Sequence, residues 1–157
     1  MVLAGWHRDV YDIWMEELKD LNVVMYTGSE SPRQKQQAKD DFIAGRADVF
    51  VISNRSGIGL DGLQYRCKTM VIGELDWSPQ VHAQLIGRVD RDGQKNQVTV
   101  IYLVSDEGSD PPMIEMLGVK SSQSHNIIDP MKAVQEKFTD ESRMKRLAEE
   151  YLKAQEA

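Results

Sequence analysis

The sequence predicts an α/β fold: a doubly wound, mostly parallel sheet with helices on both faces, followed by a C-terminal helical tail. Three observations carry this. Short apolar runs rich in β-branched residues recur at Val2 to Ala4, Val23 to Tyr26, Val49 to Ile52, Met70 to Ile72 and Val98 to Val104, as strands buried on both faces of a sheet do. Helical signals fill the intervals between them. Strands and helices alternating at this spacing form strand-helix-strand units, whose ligands bind at the carboxyl ends of the strands.

Between the first two runs, Val10, Ile13, Trp14, Leu18 and Leu21 recur at helical spacing and predict a helix over Val10 to Leu21. Ser31-Pro32-Arg33-Gln34 is a capping-box pattern with proline at the first helical position, and Gly45 follows as the stop of that second helix. Ser78-Pro79 opens a third helix running toward Arg88 and Asp90. Beyond Ser105 the pattern changes. Asp110-Pro111-Pro112 starts a short helix, and Gly118 to Pro130 is polar and irregular. Asp140 to Ala157 carries Met144, Leu147, Ala148, Tyr151 and Leu152 on one stripe. Residues 1–107 therefore read as the lobe and 108–157 as an appended helical tail.

A chain of 157 residues, 41% hydrophobic and 28% charged, has the balance of one globular domain. No stretch approaches the ~20 apolar residues of a membrane span, and the start MVLAGWHRD turns charged too early for a secretory signal. The expected compartment is the cytoplasm, or the nucleoid or nucleus where the host has one. The single cysteine, Cys67, has no second thiol for a disulfide or a zinc site and is expected to be a small buried apolar residue. His7, His82 and His125 are too scattered for a metal, so none is expected. A net charge of −6 argues against a broad basic face, so phosphate contacts are expected to be local, through backbone amides and strand-end loops.

Two strand-end loops carry candidate chemistry. In Ser53-Asn54-Arg55-Ser56-Gly57-Ile58-Gly59-Leu60-Asp61-Gly62 the glycines permit positive φ and close backbone approach, while Ser53 and Asn54 offer neutral donors. A tight structural turn would have the same composition. In Asp76 to Gln94, Gln84, Arg88 and Arg91 stand at i, i+4 and i+7, so all three leave one face if the helix continues to Asp90. Two guanidiniums so placed are either paired with acids such as Asp90 and Asp92 or left for an anionic ligand.

QLIGRVDRDGQ resembles the QxxGRxxRxGQ element, motif VI, of superfamily-two helicases, and with the upstream Asp76-Trp77-Ser78-Pro79 it is most similar to the Swi/Snf-type DNA translocases. VLAGWHRDVYDIWMEEL resembles motif IV, MYTGSESPRQKQQAKDDF the Gly-Ser loop and helix that follow it, and VISNRSGIGLDGLQ motif V. The segments stand in family order from about Val2 to Glu107. The resemblance implies a RecA-like C-terminal lobe, the second of two, with ATP hydrolysed at the cleft between them. It implies that Arg88 and Arg91 reach the phosphates of ATP, Arg91 as the finger, with Gln84, Gly57, Gly59 and Asp61 on the nucleotide side. Ser53, Asn54, Gly28, Ser29 and His7 would contact nucleic acid, double-stranded DNA for this subfamily. ATP with Mg²⁺ would be held mainly by the first lobe, the implied partner.

The chain departs from the family pattern where motif V lacks two adjacent glycines and where Asp90 stands between the arginines. It has no GxxxxGK[ST] phosphate loop and no Asp-Glu magnesium box, so alone it is expected to hydrolyse no ATP; its start at a strand fits a piece trimmed at the junction between lobes. The alternative is a degenerate, non-catalytic module that binds nucleic acid or protein.

Overall fold

The computed structural model describes residues 1–55 and 60–118. The chain divides into two compact units, Met1–Asp76 with Gln80–Leu103 and Trp77–Pro79 with Val104–Ala157.

In the first unit, β1 (Val2–Gly5), β2 (Val23–Tyr26), β3 (Val49–Ser53), β4 (Thr69–Ile72) and β5 (Thr99–Tyr102) form one parallel sheet in the order β2-β3-β1-β4-β5. Every predicted apolar run falls on a strand, with ends differing by one residue or more except at β2. Burial on both faces holds only for the central β1 and β3, which are buried throughout; β2 and β5 lie at the edges and are half-covered or alternate with exposure. The last strand is shorter than its apolar run because its ladder matches β4, from Thr69 opposite Thr99 to Ile72 opposite Tyr102.

Helices cover both faces, as expected. α1 (Arg8–Glu17) packs on one, where Leu3, Tyr11, Val49 and Val51 are buried and Trp14 and Leu18 join them. The predicted stripe is right at Trp14 and Leu18 but includes Ile13 and omits Tyr11. Ile13 is 59% exposed, whereas Tyr11 is buried and its hydroxyl donates to the Gly5 carbonyl at 2.9 Å. The buried face is Tyr11, Trp14 and Leu18, set by that polar anchor. α2 (Pro32–Ile43), a 3₁₀ turn at Leu63–Tyr65 and α3 (Pro79–Ile86) are the remaining helical elements of the lobe. Phe42, Phe50, Leu63, Met70, Ile72, Leu85 and Val89 form the larger core cluster, with the Phe42 and Phe50 rings 5.2 Å apart. α2 begins with the predicted capping box: the Ser31 and Gln34 side chains accept from each other's N–H, and Gly45 at φ +79° follows its end.

α3 ends at Ile86 rather than Asp90. The N–H groups of Arg88 and Val89 donate three residues back, to Leu85 and Ile86, which tightens the chain into turns. The Gln94 amide ties those turns down by donating to the carbonyls of Cys67 (2.8 Å) and Val89 (3.2 Å). Arg88 and Arg91 therefore leave the protein from a turn, not from one helix face.

In the second unit, α4 (Asp110–Leu117) starts at the expected prolines and ends at Gly118, φ +68°. The polar run from 119 onward, the predicted helix over 140–157 and its Met144 to Leu152 stripe lie outside the described residues.

Candidate functional site

The loops leaving β1, β2 and β3 converge at the carboxyl edge of the sheet around an open cavity of about 680 Å³. Its lining includes Trp6, Arg8, Thr27, Ser29, Ser53 and Arg55. Arg8 donates to the Ser29 hydroxyl at 3.1 Å, and the Arg55 guanidinium lies 4.8 Å from the centre of the exposed Trp6 ring. Arg55 also pairs with the Asp76 carboxylate at 3.2 Å. Two cations, an aromatic face and hydroxyls facing one concavity suit an anionic ligand.

Of the residues expected to touch nucleic acid, Gly28, Ser29 and His7 are exposed at this edge. Ser53 and Asn54 are buried and serve the loop itself. Asn54 donates its N–H to the Gly5 carbonyl (2.8 Å) and its amide to the Glu74 carbonyl (3.2 Å), while Ser53 bonds to the Tyr11 hydroxyl. His7 meets Glu74 through Nδ1 at 2.6 Å. That same carboxylate accepts the N–H groups of Trp6 (2.6 Å) and His7 (2.9 Å). Burial pushes the Glu74 carboxyl upward, but these hydrogen bonds outweigh it and hold the group below the usual carboxylate range.

The second cluster lies at the turn after α3. Arg91 pairs with Asp61 at 3.0 Å, and Arg88 donates to the Leu60 carbonyl at 3.3 Å. The partner is thus Asp61 from the β3 loop, not the neighbouring Asp90 or Asp92. The Gln64 amide and the Gly62 N–H hold the Asp61 carboxyl below its ordinary value, with Arg91 contributing. Gly62 sits at φ +101°, a backbone state that favours glycine. Gln84 is exposed on α3, while Gly57 and Gly59 lie outside the described residues.

Sequence reasoning placed Trp6, Arg55 and Asp76 in candidate loops but gave no side-chain role to them, nor to Arg8 or Glu74. The available signal was position: each stands within a few residues of the carboxyl end of a predicted strand. His82 is buried and satisfied at Nε2, which lies 3.0 Å from the Asp76 N and 2.8 Å from the Asp76 carbonyl oxygen. Cys67 is free and buried, as expected. The chain does contain Asp-Glu at 106–107, exposed beyond β5, but no phosphate loop that would make it a magnesium box. Among the described residues there is no cluster of three metal-ligating side chains, and no helix is long and apolar enough to cross a membrane.

Residues 1–93 match the model of the helicase conserved C-terminal domain. The chain belongs to that family. This helicase lobe is 27% identical over 126 residues to the chromatin remodeling factor mit1 of Schizosaccharomyces pombe, covering 78% of the lobe's chain and 9% of mit1. It is 34% identical over 90 residues to the ISWI chromatin-remodeling complex ATPase ISW1 of Saccharomyces cerevisiae, covering 56% of the chain and 8% of ISW1. The nuclear protein STH1/NPS1 of the same yeast is 29% identical over 100 residues, covering 62% and 7%. The chain thus spans less than a tenth of the length of these relatives, all of the Swi/Snf type. Among solved structures, the C-terminal part of the Fun30 ATPase domain superposes with a TM-score of 0.67 at 20% identity, covering 73% of this chain and 37% of the other. The lobe has the RecA-like fold expected of it. The expectation of a cytoplasmic protein gains no support from relatives whose names place them in the nucleus or on chromatin.

Proposed function

We propose that this lobe is the arginine-bearing half of an ATP-driven nucleic-acid motor, acting on double-stranded DNA in the nucleus where the host has one. ATP with Mg²⁺ is its fuel, held mainly by a partner lobe that carries the phosphate loop and metal ligands this chain lacks. Residues 1–107 act as the lobe and 108–157 as its helical tail. The observation that carries the reading is the pair Arg88 and Arg91, both anchored on Leu60 and Asp61 at the end of the loop whose beginning lines the cavity. Arg91 is the finger: a half-exposed guanidinium on a soft ion pair exchanges one carboxylate for a triphosphate at small cost. Arg88 shares the phosphate site. Gln84, Asp61 and the glycines Gly57 and Gly59 serve the nucleotide side. His7, Gly28 and Ser29 contact the DNA backbone, with Ser53 and Asn54 shaping that loop.

In the two-lobed protein, Arg91→Ala lowers DNA-stimulated ATP hydrolysis by ~10³-fold or more while leaving ATP affinity nearly unchanged. Arg91→Lys fails as well, because a point charge does not reproduce the planar fork. Near-normal hydrolysis by Arg91→Ala would leave the arginines as a surface charge cluster and favour the non-catalytic module.

A further inference from the structure

We propose that Glu74 and Asp76, two carboxylates on the loop after β4, are positioning residues that fix the Trp6–Arg55 wall of the cavity for a nucleic-acid phosphodiester. This deepens the reading of the cavity as a DNA-backbone contact and rests on it. Arg55 is a long side chain, 60% exposed, that unrestrained would sample many rotamers and lose them on gripping a ligand. Two contacts remove that freedom beforehand. The guanidinium carbon stands over the Trp6 ring, 4.8 Å from its centre, and one terminal nitrogen donates to the Asp76 carboxylate at 3.2 Å. A guanidinium has five N–H donors, so this single carboxylate contact leaves others for a ligand in the cavity that Arg55 lines.

Both holders are themselves held. The Asp76 side chain is only 10% exposed, and its peptide is gripped by His82 of α3. Glu74, 18% exposed, fixes the peptides of Trp6 and His7 and the His7 ring, so the backbone that carries the Trp6 ring cannot swing. Neither carboxylate is among the residues lining the cavity; each touches residues that do, Glu74 through the Trp6 N–H and Asp76 through Arg55. Two acids beside a site for an anion would oppose binding if charge alone counted, and that opposition gives the test its sign. Neutralising a bystander carboxylate strengthens DNA binding. Neutralising a positioning carboxylate weakens it.

The experiment measures binding of a short fluorescent duplex DNA to the whole chain at about 50 mM salt, where phosphate contacts are strong. Alongside it, the Arg55 Nε–H resonance is followed by NMR, displaced in the wild type by the Trp6 ring current. Asp76→Asn and Glu74→Gln are each expected to weaken binding about fivefold to tenfold despite removing negative charge, and Asp76→Asn to return the Arg55 resonance toward its free position. Asp76→Asn in an Arg55→Gln background should weaken binding no further, since Asp76 acts through Arg55. Arg55→Lys, an exposed change that spares the fold, should weaken binding like Asp76→Asn because it keeps the charge and loses the stacked plane. Unchanged or tighter binding by Asp76→Asn, or an unmoved Arg55 resonance, overturns the proposal. If the wild type binds no duplex while the resonance still moves on Asp76→Asn, the positioning role stands and the DNA reading of the cavity falls.

Discussion

Gly73→Ala should loosen the lobe through one ring. Gly5 closes β1 and Gly73 follows β4, side by side in the sheet, with the Gly73 N–H donating to the Ala4 carbonyl at 2.9 Å. The Trp14 indole lies across both. A methyl on Gly73 would stand 2.4 Å from Trp14 Cζ2 and 2.9 Å from Cη2, and one on Gly5 would stand 2.5 Å from Cη2. An ordinary carbon contact begins near 3.4 Å, so the ring must withdraw by about 1 Å. Trp14 also packs on Tyr11, ring centres 5.9 Å apart, so the withdrawal disturbs the buried face of α1. Overpacking of this kind costs ~1–3 kcal/mol, offset by ~0.4–1 kcal/mol from the stiffer unfolded chain. The net expectation is a loss of ~0–2.6 kcal/mol, about 1.3 at the midpoints, read in urea as a lower midpoint at unchanged slope. Trp14→Leu makes room, so in that background Gly73→Ala should cost less or turn stabilising. Additivity of the two changes within ~0.5 kcal/mol would refute the seat.

Gly62→Ala should cost ~1–2 kcal/mol from its φ of +101° alone, and Ile43→Val should not restore it, because the strain lies in the backbone as well as in the 2.7 Å approach to Ile43 Cδ1. The check is the same urea melt. Arg91→Ala should change stability by under ~1 kcal/mol, since both partners of its ion pair are solvent-exposed, so its loss of hydrolysis is separable from unfolding. For pH, burial lowers the His82 pKa in the folded state, the larger effect against its contacts with Asp76. The unfolded chain therefore takes up the proton first; stability is full above about pH 6.5 and falls as pH drops from there toward the folded value. Melts from pH 7.5 to 5 should show this decline, and His82→Gln should flatten it. Glu74 and Asp61, whose values are depressed, add their losses only in the lower carboxylate range.

The strands were legible because short apolar runs rich in β-branched residues are too brief for the helices of such a lobe and are what a mostly covered parallel strand needs, fully so in β1 and β3. The α2 cap was legible because serine and glutamine each accept an orphan N–H at the helix start while proline has none to satisfy. On α1, Trp14 and Leu18 were read correctly, but Ile13 was taken for Tyr11 because periodicity ranks residues by hydropathy, and Tyr11, with a hydroxyl to satisfy, ranks below Ile13. The end of α3 was misread for a similar reason. Nothing in Gly87 to Asp90 forbids a helix; the tightening depends on Gln94 reaching the Cys67 and Val89 carbonyls, a contact made only in the folded lobe. At the site, motif resemblance located the arginines but not their partner. Asp61 lies 30 positions before Arg91, and only the parallel crossover through β4 and α3 brings them together.

That crossover also ties the two clusters into one circuit. Arg55 at the cavity is held by the Asp76 carboxylate, and the Asp76 peptide is held by His82 in α3. α3 runs into the turn bearing Arg88 and Arg91, and these return to Leu60 and Asp61. From Leu60 back to Arg55 is five residues of chain, which spans at most ~18 Å when fully extended. The covalent arm and the hydrogen-bonded arm thus join the same two clusters by different routes.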